Sequence, residues 1–362
     1  MFENLPPSIS VSVKQSGSHL QGIAIDENRK YMYCSFTTCL IKIDLNGNIL
    51  GSIKGLAGHL GCIAYNPLDG KVYGSLEFKN DVIGKGILKN IGYTGELEDG
   101  FYIVRFDVDK IDRLDMDAEK DHIMQAVFLS EVYNDYAAAG HHLGCSGIDG
   151  ITFAPPMGED GQANYLYVAY GIYGDNTRTD NDYQVILQYD ISHWDTYARP
   201  LNQLSMHRCG PEKPDAKYFV YTGNTTYGIQ NLEYDAFSRT LLAAVYQGKK
   251  EQFPNYPMFF IDCTQKPKTE ILKGVGETGM VLPLTDLGSG SCRTEICGST
   301  FPHGSTGIAS LGDGYFYIAQ PFKNDHGYGG VINLYKLDSD NLTFVKVGAS
   351  CKNEAMKQTG KQ

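Results

Sequence analysis

A single tryptophan, Trp194, stands in a chain of 362 residues that has no C-x-x-C pair and no D-x-D-x-D-G loop. No apolar run approaches the ~18 residues of a membrane-spanning helix, and the first seven residues lack a basic region followed by an apolar one. The chain therefore reads as cytoplasmic as it stands, or as secreted if a signal peptide has been removed, with no membrane as partner. Its nine cysteines are an odd number without zinc-knuckle or redox spacing. Buried small hydrophobes are the simple reading for most of them, and Cys292 and Cys297, flanking a Gly/Ser-rich loop, are the one candidate disulfide. Positive charge is also scarce: 31 Lys and Arg stand against 42 Asp and Glu, a net charge of −11. With no basic stripe interleaved with aromatics, nucleic acid is excluded as a partner, and the same field disfavours an anionic membrane surface.

What is abundant is glycine, 41 residues where average usage is ~7%, together with 25 Tyr and 16 Phe. Turn-formers and strand-forming aromatics favour an all-β chain over a helical bundle, and 42% hydrophobic residues suffice for a large core. The pattern repeats five times. Each unit opens on a short strand: HLQGIAID at 19–26, HLGCIAYN at 59–66, GIDGITFA at 147–154, GIQNLEYD at 228–235 and GSTGIASL at 304–311. A second strand, rich in Tyr in most units, follows at 31–36, 71–76, 165–170, 240–245 and 315–320, then a third at 40–45, 101–108, 185–191, 258–263 and 331–337. Fainter fourth strands lie at 49–53, 122–129 and 343–347. Four antiparallel strands per unit, radially repeated, predict a five-bladed β-propeller spanning 1–362 as a single domain, with blades starting near 19, 59, 148, 229 and 305. A two-sheet sandwich is the alternative, but it leaves the recurring unit start unexplained.

Insertions fall between second and third strands (79–100, 173–184, 247–257, 323–330) and between units (130–146, 207–227, 288–303). In an up-and-down blade these joints share one face, the usual place for a binding or catalytic site. Aligning the inner strands gives a column of Ala24, Ala64, Thr152, Glu233 and Ala309: four small residues and one carboxylate, which is either an acid/base or ion ligand or a buried structural group. The column three positions earlier, Gln21, Gly61, Asp149, Gln230 and Thr306, with Asn231 beside it, rings one mouth of the channel with oxygen. Asp149, Asn231 and Glu233 make a chemically reasonable calcium set; the competing reading is a mouth that holds ordered water.

Histidines recur at the same level, His19, His59, His142 and His303, as ligand-binding imidazoles or as loop caps on backbone carbonyls. A three-histidine metal site lacks supporting spacing. Phe78-Lys79-Asn80-Asp81 recurs as Phe322-Lys323-Asn324-Asp325 at the end of two second strands, so the same turn is expected in both. Lys79 and Lys323 either sit in a structural Asx-turn or bind an anionic group. Only the first copy follows a carboxylate, Glu77. The stretches 170–183 and 221–227 supply Tyr170, Arg178 and further Tyr, Asn and Asp suited to a sugar's apolar face and hydroxyls.

This blade pattern resembles the β-propeller superfamily, including gluconolactonase-like and NHL-like propellers, over residues 19–348. Five-bladed members of that architecture include glycoside hydrolases of the invertase and arabinanase kind, calcium-dependent nucleotidases and sugar-binding lectins. The W-x-N-D-P-N-G motif of the invertase group is absent, so the resemblance implies a sugar or oligosaccharide ligand without transferring a catalytic set. Three functions are therefore expected in competition. The first is a carbohydrate-active hydrolase or lyase using Asp149, Glu233 and Glu77 as acid, base or nucleophile. The second is a calcium-dependent lactonase or phosphoester hydrolase using Asp149, Asn231 and Glu233. The third is a non-catalytic sugar- or protein-binding propeller. Polar residues that differ from blade to blade favour one asymmetric central site, and hence an enzyme.

Overall fold

The repeated strands close into a ring of five small antiparallel sheets, a five-bladed β-propeller, in the computed structural model. The structure describes residues 2, 4–14, 19–95, 97–286, 292–293, 295–324, 327–338 and 343–348; Asp325 and Cys351 lie outside them. The inner strands are Leu20–Ile25, His59–Asn66, Cys145–Ala154, Thr226–Asp235 and Ile308–Gly312. Each pairs with its own second strand: Tyr31–Phe36, Lys71–Phe78, Tyr165–Ile172, Thr240–Tyr246 and Tyr315–Asn324.

Blades depart from four strands where the chain is diverted. The third blade carries six strands, including a parallel pair between Ala216–Tyr221 and Thr278–Val281. The fourth keeps three, its outer edge met by isolated bridges from Ser299 and Leu284. In the fifth, the outer edge of Gly327–Asp338 is shared by Ser8–Val13 and Thr343–Lys346, so both ends of the chain close the ring. The SISVSV sequence of Ser8–Val13 alternates exposed and buried residues over its first five positions, as a strand with one covered face must.

Tyrosine has a structural address in this ring. Tyr33, Tyr73, Tyr167 and Tyr317 occupy the same position of four second strands and are at most 2% exposed. Each ring fills the space between neighbouring sheets, and the hydroxyls of Tyr73, Tyr167 and Tyr317 reach Asp69, the Pro155 carbonyl and the Pro6 carbonyl. Blades are also bolted to one another through equivalent serines: Ser35 donates to the Gly61 carbonyl and Ser75 to the Asp149 carbonyl, both at 2.7 Å.

Two insertions that read as loops contain helices, α1 (Val82–Ile91) and α2 (Ser130–Ala137). The identical Phe-Lys-Asn-Asp tetrapeptides do not build the same turn. Asp81 caps α1 by accepting from the Gly84 N–H at 2.8 Å, whereas Lys323 and Asn324 continue a strand paired with Tyr328 and Gly327. The downstream residues decide between them: an amphipathic helical segment after the first copy, and a short glycine-containing hairpin after the second. Cys292 and Cys297 are bonded as a disulfide, and five of the six described free cysteines are buried. Among the described residues no helix is long and apolar enough to cross a membrane.

Candidate functional site

The loop-bearing end of the channel opens into a cavity of about 380 Å³. Its floor comes from the inner strands and the ends of the second strands. Glu77, at the end of the second strand of blade 2, is buried and pairs with Lys79 at 2.5 Å. Both reach across to blade 3: Glu77 accepts from the Ile148 N–H at 3.1 Å, and Lys79 donates to the Ser146 carbonyl at 3.0 Å. The pair therefore staples two blades as well as facing the cavity. Its neighbour Asp149 is also buried, and its Oδ1 has no hydrogen-bond partner. Glycine makes room for each carboxylate. A Cβ at Gly61 would overlap Asp149 Oδ1, and one at Gly147, where φ is +129°, would overlap Glu77 Oε2.

Electrostatics separates the two acids. Burial and the charge of Glu77 push Asp149 well above the usual carboxylate range, against the pull of Lys79 and the Cys62 backbone N–H. Burial also raises Glu77, but Lys79 and the Ile148 N–H act directly on its oxygens and oppose the rise. Burial thus favours the proton on Asp149, while Lys79 favours the charge on Glu77. His59 lies 3.8 Å from Glu77, too far to hydrogen-bond. Burial, with the charges of Lys79 and His19, pushes its imidazole down to about 3, so it is neutral.

Gln21, Gln230 and His19 line the cavity between floor and rim; Gln21 is oriented by the Thr37 hydroxyl at 3.1 Å. Rim and walls are apolar and aromatic, formed by Ile83 of α1 with Tyr173, Tyr227 and Tyr246. Tyr227 has a left-handed backbone, φ +64°, at a break in strand register. That conformation costs a side-chain-bearing residue ~1–3 kcal/mol, and it belongs to a ring that meets Tyr246 edge-to-face at the mouth.

Of the residues singled out from sequence, Asp149, Glu77, Lys79, His19, Gln21 and His59 meet at this cavity. Gln230 joins them, with Tyr173 and Tyr227 of the two Tyr-rich stretches, whereas Asn231, Glu233, His142, Tyr170, Arg178, His303 and Lys323 do not line it. Glu233 lines a separate cavity of about 180 Å³ at the opposite end of the same inner strands. The reason is the strand rise: its column lies three positions beyond that of Asp149, roughly 10 Å along the channel. Asn231 lies buried beside the channel, donating to the Gln21 and Ser305 carbonyls at 2.7 and 3.0 Å. The calcium set Asp149, Asn231 and Glu233 is thereby split between two ends of the channel. Among the described residues, no group of three His, Cys, Asp or Glu with ligand atoms within 4.8 Å of one another includes Asp149, Glu77 or Glu233.

The remaining candidates have structural partners elsewhere. His142 bridges Asp135 at 2.9 Å and Glu277 at 3.1 Å. Tyr170 is fully buried and donates to Asp135 at 2.9 Å. Arg178 pairs with Asp180 and holds the Gly140 and His141 carbonyls. His303 packs edge-on against Phe301, and Lys323 lies over the Tyr328 ring at 5.0 Å.

Ile83 and Tyr246 escaped sequence reasoning. Tyr246 had a findable signal, because it ends its second strand at the position that holds Glu77 in blade 2, Thr37 in blade 1 and Gly171 in blade 3. Ile83 had none, since its place over the cavity depends on an inserted helix. No family model matches the chain, and no curated protein matches it closely enough to indicate kinship.

Proposed function

We propose that the chain is a carbohydrate-active enzyme, a glycoside hydrolase or lyase, working in the loop-face cavity. One observation carries this reading: Asp149 is a buried acid with an unpartnered oxygen, facing a cavity beside a second carboxyl group that is paired with a lysine. Two carboxyl groups whose surroundings separate their proton affinities supply an acid and a base at one pH. Asp149 would give its proton to the departing sugar oxygen as the glycosidic bond breaks. Glu77 would take the proton of attacking water in a hydrolase, or the carbon-bound proton next to a carboxylate in a lyase. Lys79 holds Glu77 in place. The tyrosines offer flat faces to a sugar ring, while Gln21, Gln230 and His19 offer polar groups to its hydroxyls. The cavity volume lies within the ~300–1,000 Å³ of small-molecule sites.

The test is turnover of an oligosaccharide panel that includes uronate-containing chains, monitored by reducing-end release and by absorbance of the unsaturated product of a lyase. Wild-type turnover with a ~10²–10⁴-fold loss in Asp149→Asn is expected, unchanged by a calcium chelator. Sugar binding without turnover would turn the reading towards a binding propeller. Chelator-sensitive turnover that survives Asp149→Asn would overturn the roles of both carboxylates.

A further inference from the structure

The small cavity at the opposite end of the channel has a chemistry of its own. Its volume, about 180 Å³, exists because four blades place Ala24, Ala64, Thr152 and Ala309 where blade 4 places Glu233, and all five residues line it. Beyond this ring the lining side chains include Ile23, Ile63, Tyr65, Phe153 and Tyr234, and they show the cavity both polar and apolar surface. Glu233 accepts from the Ser310 N–H at 2.6 Å. That bond is a blade-to-blade staple, but it does not require a carboxylate. At the equivalent position Thr152 accepts the Tyr234 N–H at 3.1 Å through a neutral hydroxyl.

Among the described residues no lysine, arginine or histidine forms an ion pair with Glu233. Arg29, from the turn of blade 1, is committed to the Leu311 carbonyl at 2.7 Å and to the face of Phe2. The field around the opening is acidic, with Asp26, Glu27, Asp69 and Asp109 acting on Tyr65 and Asp235 acting on Glu233. A calcium ion is a poor occupant, because it favours several carboxylates among its six to eight oxygens and Glu233 is the one carboxylate among the lining residues.

We propose that this cavity is a binding site for a small organic ammonium ion, separate from the reaction centre, with Glu233 as counter-ion and the aromatic walls around the alkyl or aryl part. A carboxylate lacking a cation in an aromatic, alkyl-walled recess matches an ammonium group carrying apolar substituents. A cavity of ~150 Å³ already holds a benzene ring, so butylammonium and benzylammonium are of suitable size. Burial of Glu233 pushes its carboxyl up to about 8, so an ammonium ion binds with release of the carboxyl proton and more tightly as pH rises towards that value.

Titration calorimetry of the full chain with butylammonium chloride tests this, with butanol and calcium chloride as comparisons. Butylammonium is expected to bind at one site, with neither comparison competing. Glu233→Gln keeps the Ser310 bond and the volume but removes the charge, and is expected to weaken binding about tenfold or more, some 1.4 kcal/mol. Ala309→Leu, which fills the recess and leaves Glu233 in place, is expected to abolish binding, with melting curves confirming that both variants fold. Asp149→Asn, in the other cavity, is expected to leave it unchanged. Undiminished binding in Glu233→Gln, loss of binding in Asp149→Asn, competition by calcium, or no binding by the wild type would each overturn the proposal.

Discussion

Asp149 is expected to show its environment in stability as well as in turnover. Its folded-state proton affinity is raised, so between the unfolded value of ~4 and that raised value the native state holds more protons than the unfolded chain. Stability therefore falls as pH rises through this window. Asparagine removes the titration. The melting temperature of Asp149→Asn relative to wild type is accordingly expected to become more favourable as pH rises above the unfolded value of ~4, and a constant difference would refute the assignment. The Glu77–Lys79 pair behaves otherwise, because both side chains are about 7% exposed and each compensates the other. Glu77→Gln leaves a buried ammonium without its counter-ion and is expected to cost ~3–5 kcal/mol in urea unfolding. Adding Lys79→Met should recover much of that stability and none of the activity, which separates the blade staple from the chemistry.

At the scale of elements, the loops decide what the strands cannot. Helix α1 buries only Ile87 fully, leaves Val82 87% exposed, and places Ile83 over the cavity. It begins at the Asp81 cap and ends at Gly92, whose left-handed φ of +70° returns N–H bonds to the last turn. Asp81→Ala removes the cap and is expected to destabilise this helix by ~1 kcal/mol. Because α1 supplies wall and not acid or base, steady-state kinetics should show a raised KM with kcat nearly unchanged; an equal fall in kcat would place α1 in the chemical step. The inner strands were readable by register, and the column Ala24, Ala64, Thr152, Glu233, Ala309 lines one cavity as alignment requires. The repeated tetrapeptide was misleading for the same reason that inserted loops are hard to read: four residues do not specify whether a helix or a hairpin comes next.

For the whole molecule, ring closure rests on the pairing of Ser8–Val13 with Gly327–Asp338. Ile9 and Val11 are buried there, Phe2 stacks on Tyr315, and the Pro6 carbonyl receives the Tyr317 hydroxyl. Removing the chain up to Lys14 exposes the apolar surfaces that Ile9 and Val11 cover, ~1.5–3 kcal/mol each, and opens the ring between its first and last blades. Calorimetry should show a lower and broader melting transition; an unchanged one would mean that the ring does not depend on this strand. Sequence alone determined the five-fold repeat, the approximate places of its inner, second and third strands and the identity of unusual residues within each column, because strand period and turn chemistry are local. Tertiary structure decided which of those residues meet. Asp149 and Glu233 belong to columns only three residues apart, yet the length of an extended strand sends them to opposite mouths of one channel. Glu77 joins Asp149 only because neighbouring blades bring the end of a second strand against the start of the next inner strand, a contact set by packing between sheets and by no local pattern.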